Sequence, residues 1–163
     1  MITAKPEVGQ PAPPFALPDH TGAVHRLDQY AGHWLVLYFY PKDDTPVCSR
    51  EACGFRDHMG AIKALGAHVV GVSLDSPQSH ASFREKYRLT FPLLTDTGGE
   101  TARRYGSHFQ FACLRFLKRH TFIIDPRGRI ARIYRSVASS RHSREIIDDL
   151  RELQSIPPTR DKD

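Results

Sequence analysis

The 163-residue sequence predicts an α/β fold: a central sheet with both parallel and antiparallel strands, and helices on both faces. Three observations predict it. Two apolar runs, residues 34–40 and 69–74, are each followed by a stretch with helical periodicity. Apolar strands alternating with amphipathic helices are the pattern of a parallel sheet covered on both sides. Further on, the turn Asp125-Pro-Arg-Gly128 joins two short β-rich runs, which adds an antiparallel hairpin.

The elements follow in order. Residues 1–32 are rich in Pro and Gly, and residues 19–22 form a turn between two short extended pieces. The run Trp34-Leu-Val-Leu-Tyr-Phe-Tyr40 reads as a strand buried on both faces, ended by Pro41. Thr45-Pro46 marks a helix start, with Thr as N-cap and Pro as the first helical residue. Ala52, Phe55, Met59, Ile62 and Leu65 recur in steps of three and four, so this helix runs to about Leu65 and stops at Gly66. Residues 69–74 form a second buried strand. Ser76-Pro77 opens another helix, with Ala81, Phe83 and Tyr87 as its apolar positions. Residues 91–94 are a third strand and 100–105 a short helix, whereas 107–118 are ambiguous. Residues 121–124 and 130–134 make the hairpin. Residues 140–153 form a last helix with Ile146, Ile147, Leu150 and Leu153 inward, and the polar tail from Ser155 reads as loose. Among small folds, this order points to a thioredoxin-like domain occupying the whole chain.

Composition removes several functional classes. The longest apolar run has seven residues, far short of the roughly 20 a membrane span needs. Residues 1–14 lack the apolar core of a signal peptide, which predicts a cytoplasmic protein. Three cysteines do not make a disulfide framework; in a reducing compartment they are free thiols, metal ligands or redox catalysts. The net charge of +5 is uneven. Residues 114–144 hold nine Lys/Arg and one acid, Asp125, which leaves the rest of the chain at −3. Such a face steers anions or binds nucleic acid, but no recognised nucleic-acid-binding motif accompanies it.

The informative stretch is Phe39-Tyr-Pro-Lys-Asp-Asp-Thr-Pro-Val-Cys-Ser-Arg-Glu-Ala-Cys-Gly-Phe55. Counting from Thr45 as N-cap, Cys48 is the third helical residue. A capping box often has a carboxylate there, and the free amides and dipole of a first turn favour an anion. A thiol in that place either becomes a ready nucleophile or is a buried structural cysteine. Cys53 follows five residues later. That is neither the Cys-x-x-Cys of dithiol oxidoreductases nor a zinc spacing, and His58 does not complete one.

Pro41-x-x-x-Thr45-x-x-Cys48 resembles the active-site signature of peroxiredoxins, and Cys48-Ser-Arg-Glu-Ala-Cys53 that of their bacterioferritin-comigratory, or Q-type, subfamily. Pro13-Pro-Phe-Ala-Leu-Pro18, Val70-Gly-Val-Ser73, Phe91-Pro-Leu-Leu-Thr-Asp96 and Arg119-His-Thr-Phe-Ile-Ile-Asp125 extend the resemblance over residues 9–153. It implies a peroxidase for hydrogen peroxide and organic hydroperoxides that needs no metal or organic cofactor. Cys48 would be the peroxidatic cysteine, Thr45 would hold the peroxide, Arg119 would stabilise thiolate and oxygens, and Pro41 would shield the site from water. Glu51, one turn past Cys48, would either orient Arg119 or face solvent. Cys53 would be the resolving cysteine, and a dithiol such as thioredoxin would reduce the resulting disulfide. A monomer is expected. The rival readings are a general thiol-disulfide oxidoreductase and a binding protein that uses the basic face. The sequence departs from the subfamily in residues 107–118, which are shorter and more apolar than usual. They place Cys113 where none is expected; it reads as a core or surface-patch thiol rather than an accessory redox group.

Overall fold

The structure is a computed structural model that describes residues 5–138 and 140–156. Its centre is a five-stranded sheet in the order β5-β4-β3-β8-β9. Strands β3 (Trp34–Phe39), β4 (Ala67–Ser73) and β5 (Leu93–Thr95) run parallel. Strand β8 (Thr121–Ile124) pairs antiparallel with β3, and β9 (Ile130–Tyr134) antiparallel with β8. The mixed sheet expected from sequence is therefore present, with β3 at its middle.

Alternation along β3 divides the core. Val36 and Tyr38 face one layer, packed with Ala52, Phe55, Met59 and Ile62 of α1 (Pro46–Ala64), Phe83 of α2 (Pro77–Tyr87) and Ile146 and Leu150 of α4 (His142–Ser155). Leu35, Leu37 and Phe39 face the other, with Ala102 of α3 (Glu100–Arg104), Tyr105, and Leu17 of β1 (Ala16–Pro18). A strand buried on both faces needs apolar residues at every position, which is why residues 34–40 show no alternation. The layer is tight enough that a Cβ on Gly71 of β4 would meet the Tyr38 ring at 2.9 Å.

The departures from expectation are local. The first hairpin, β1 with β2 (Val24–Arg26), is followed by a 3-10 turn, Leu27–Tyr30, that no periodicity announced. The third sheet strand lies two residues later than predicted, because Pro92 lacks the N–H a ladder needs. The segment left open, 107–118, is a β-hairpin of β6 (His108–Phe111) and β7 (Leu114–Leu117), separate from the main sheet. Cys113 lies in its turn and is exposed, so it is a surface thiol and not a core one. The loose tail expected beyond Ser155 lies, after Ile156, outside the described residues.

Candidate active site

The site forms where β3 ends. Phe39 donates its backbone N–H to the His120 carbonyl at 2.8 Å, which fixes the entry to β8 beside the exit from β3. Arg119 thereby stands over the first turn of α1. Its Nη2 donates to Cys48 Sγ at 3.2 Å and its Nη1 to Glu51 Oε1 at 3.1 Å. Cys48 and Glu51 are both buried, 1% and 2% exposed. His120, the next residue, is anchored by Ser107 at 2.9 Å and kept uncharged: burial first, then the cations Lys118 and Arg135, lower it to about 4.

Arg119, Cys48 and Glu51 are electrostatically coupled. Burial works against the Arg119 charge, but the bond it donates to Cys48 and the charge of Glu51 outweigh it and hold the guanidinium above its ordinary value. Glu51 shows the opposite balance. Burial pushes its carboxyl up to about 7 in spite of Arg119, and its second oxygen has no hydrogen-bond partner. Of the two alternatives, the structure places Glu51 buried against Arg119 and not facing solvent.

This arrangement gives a pH dependence with a definite sign. The folded chain keeps a proton on Glu51 between its ordinary 4.5 and about 7, where the unfolded chain releases it. Stability from this group is fully present below pH 4.5 and is lost as pH rises to about 7, by on the order of 3 kcal/mol. A Glu51→Gln variant should lose that part of the slope. Urea midpoints at pH 5 and pH 7.5 measure it, and an unchanged difference would mean that Glu51 titrates normally.

Thr45 is the N-cap of α1, as expected, but its side chain does not cap. The hydroxyl instead donates to the Lys42 carbonyl at 2.8 Å and leaves the first-turn amides uncapped. Pro41 is solvent-exposed at the head of the same loop, and Cys53 is half-buried on α1. His58 is engaged elsewhere, with Ser143 and the Gly54 carbonyl. Among the described residues no cluster of metal-ligating side chains comes together.

Sequence reasoning missed what holds this loop. Asp43 accepts from Tyr40 Oη at 2.6 Å and Ser79 Oγ at 2.8 Å, and its Oδ2 lies 2.8 Å from His80 Nδ1. The other ring nitrogen of His80 meets the Leu94 carbonyl. The backbone N–H of Asp43 donates to Asp75. Tyr40 just past β3, Asp75 just past β4, and Ser79 and His80 of α2 thus tie down the loop two residues before Thr45. No local spacing connects Asp43 with His80; the signal was only that both are polar and flank apolar runs.

A thiol held beside a guanidinium at a helix start, with a hydroxyl in the same loop, is built for nucleophilic attack on a polarised bond. Residues 8–133 match the AhpC/TSA family. The chain belongs to that family, the peroxiredoxins. Its relatives fall in the bacterioferritin-comigratory, or Q, group. The peroxiredoxin Bcp of Bacillus subtilis is 36% identical over 156 residues, which span 90% of this chain and 96% of its own. The peroxidoxin BcpB of Mycobacterium tuberculosis superimposes with a TM-score of 0.87 at 33% identity, covering 92% of this chain and 99% of that one. The bacterioferritin comigratory protein of Xanthomonas campestris does so at 0.83 and 29%, covering 90% and 98%. This peroxiredoxin is a thiol peroxidase: it reduces hydroperoxides at the expense of a thiol reductant. Among its described residues no helix is long and apolar enough to cross a membrane.

Proposed function

We propose that the chain is a single-domain, monomeric cytoplasmic peroxidase in which Cys48 attacks, Cys53 resolves and thioredoxin recycles. The observation that carries this is the 3.2 Å bond from Arg119 to Cys48 Sγ, with Glu51 fixing the guanidinium from its other side. The Cys48 thiolate attacks one oxygen of ROOH. The O–O bond breaks, Cys48 becomes a sulfenic acid, and the departing RO⁻ takes up the proton that the thiol released on ionising and leaves as ROH. Arg119 offsets the negative charge on sulfur and then on the departing oxygen. The Thr45 hydroxyl already donates its hydrogen bond to the Lys42 carbonyl, so toward substrate its oxygen acts as acceptor for the peroxide O–H. Pro41, exposed at the head of the same loop, offers no reactive group, and its part in this reading is to shield the site from water. The related Xanthomonas campestris protein has been studied for alkyl peroxide reduction, which supports organic hydroperoxides as substrates here.

Resolution demands movement. Cys48 and Cys53 share α1, where five residues mean a rise of about 7.5 Å and Cα atoms about 8.6 Å apart on different sides. A disulfide needs about 7 Å or less and converging Cβ atoms. The start of α1, about residues 46–55, must therefore unwind before the Cys53 thiol can displace hydroxide from the Cys48 sulfenic acid, releasing water. Oxidation by one equivalent of peroxide should lower helix content by circular dichroism and speed amide exchange across 46–55. Peptide mapping should give Cys48–Cys53 as the main disulfide. Cys113→Ser should leave turnover, assayed with thioredoxin and its reductase, within about twofold. Identical exchange in the two redox forms, or a dominant link through Cys113, would exclude Cys53 as the resolving group.

A further inference from the structure

The β6–β7 hairpin presents a surface that peroxide reduction does not use. Residues 109–116 are eight consecutive exposed positions, so the ribbon projects from the body on both faces. Its register pairs Phe109 with Phe116 and Phe111 with Leu114, and residues paired or two apart share a face. One face is therefore apolar throughout: Phe109 45%, Phe111 68%, Leu114 58% and Phe116 44% exposed. The Phe109 and Phe116 rings lie 6.4 Å apart on it. Around this face cations predominate, and the one exposed acid beside it, Glu100, is paired with Arg104. Residues 101–124 contain five Lys/Arg and no Asp or Glu. Arg103, Arg115 and Lys118 are exposed. The nearby Asp96 is buried and accepts from the backbone amides that start α3.

We propose that this hairpin docks the enzyme on an anionic lipid bilayer, with the apolar face in the interface and the surrounding cations against lipid phosphates. A second copy of the chain fits less well. Hairpin against hairpin would oppose cations with no acid between them. At about 200 Å² per aromatic side chain the apolar face also offers only roughly 400 Å², half of what a stable protein pair buries on each side. A convex ribbon needs a groove in a protein partner, whereas a bilayer interface admits it directly, and its anionic headgroups supply the missing charge. Phe116 is three residues from Arg119, about 10 Å of extended chain, so docking brings the reacting end of the site to the membrane.

Sedimentation with vesicles tests this without using the peroxidase reaction. The full chain should pellet with phosphatidylglycerol vesicles and at least tenfold less with phosphatidylcholine vesicles or in 1 M salt. The double variant Phe111→Ser/Leu114→Ser, and separately Arg115→Glu, should each lower retention on phosphatidylglycerol at least tenfold. Unchanged hydrogen peroxide turnover would report that both variants are folded. Wild-type protein that stays in the supernatant, or variants retained as well as wild type, would overturn the proposal. So would a concentration-dependent dimer that the double variant abolishes without any vesicle retention, which would assign the face to a second copy.

Discussion

A Cys48→Ser variant is expected to lose peroxide turnover entirely. The reaction needs an anionic nucleophile in the space between the first turn of α1 and Arg119, and Cys48 Sγ is the atom that Arg119 Nη2 meets there. A serine hydroxyl fills nearly the same volume, but it gives up its proton far less readily than a thiol and stays a weak nucleophile, so the O–O bond goes unattacked. The other two thiols cannot substitute in place: Cys53 is five residues along the helix and Cys113 sits in the turn of the β6–β7 hairpin. Cys53→Ser should differ in kind. It should consume about one equivalent of peroxide in a burst and then stall as Cys48 sulfenic acid, or over-oxidise. Peroxide consumption with thioredoxin and its reductase, together with the burst stoichiometry without them, separates the two. Full turnover in Cys48→Ser would move the chemistry to another residue.

Some of this was legible in the sequence and some was not, for physical reasons. The β3 run was legible because a strand buried on both faces has no polar residue to blur it, and Leu35 to Tyr40 are indeed buried. The start of α1 was legible because Thr-Pro is a local signal that depends on no distant partner. Glu51 was left undecided, although Cys48, Glu51, Ala52 and Phe55 fall at steps of three and four on one stripe. Their burial follows that stripe, but a carboxylate on it is tolerated only because Arg119 arrives from 68 residues away. Sequence separation likewise hid the Asp43–His80 contact, whose partners are 37 residues apart. Residues 107–118 failed for a different reason. His108-Phe-Gln-Phe111 alternates for only four residues, too short a run to decide between strand and helix, and its apolar side packs on no core. Here Leu117 is buried while Phe109 and Phe111 point outward, so the pattern carried surface information.

Arg119→Met should slow peroxide reduction by about 10²–10³, the loss of about 2–4 kcal/mol of transition-state stabilisation that removing one preorganised donor brings. Methionine keeps much of the side chain's length and packing, so the change is close to a subtraction of charge and donors. Two effects then act together. The thiolate loses the cation 3.2 Å from its sulfur, and the oxygen leaving in the transition state loses its neighbouring positive charge. Glu51, 2% exposed, also loses the group that favours its ionised form, and should hold its proton to still higher pH. Arg119→Lys discriminates between charge and geometry. A lysine restores the charge but offers a point donor in place of a planar fork, and it cannot hold Cys48 and Glu51 in two directions at once. It should therefore recover only part of the loss. Values of kcat/KM for hydrogen peroxide in wild type, Arg119→Met, Arg119→Lys, Glu51→Gln and the Glu51→Gln/Arg119→Met double variant complete the test. If Glu51 acts only by orienting Arg119, the double variant should be no slower than Arg119→Met alone. Normal kinetics in Arg119→Met would reduce the guanidinium to a packing element and remove the electrostatic basis of the mechanism.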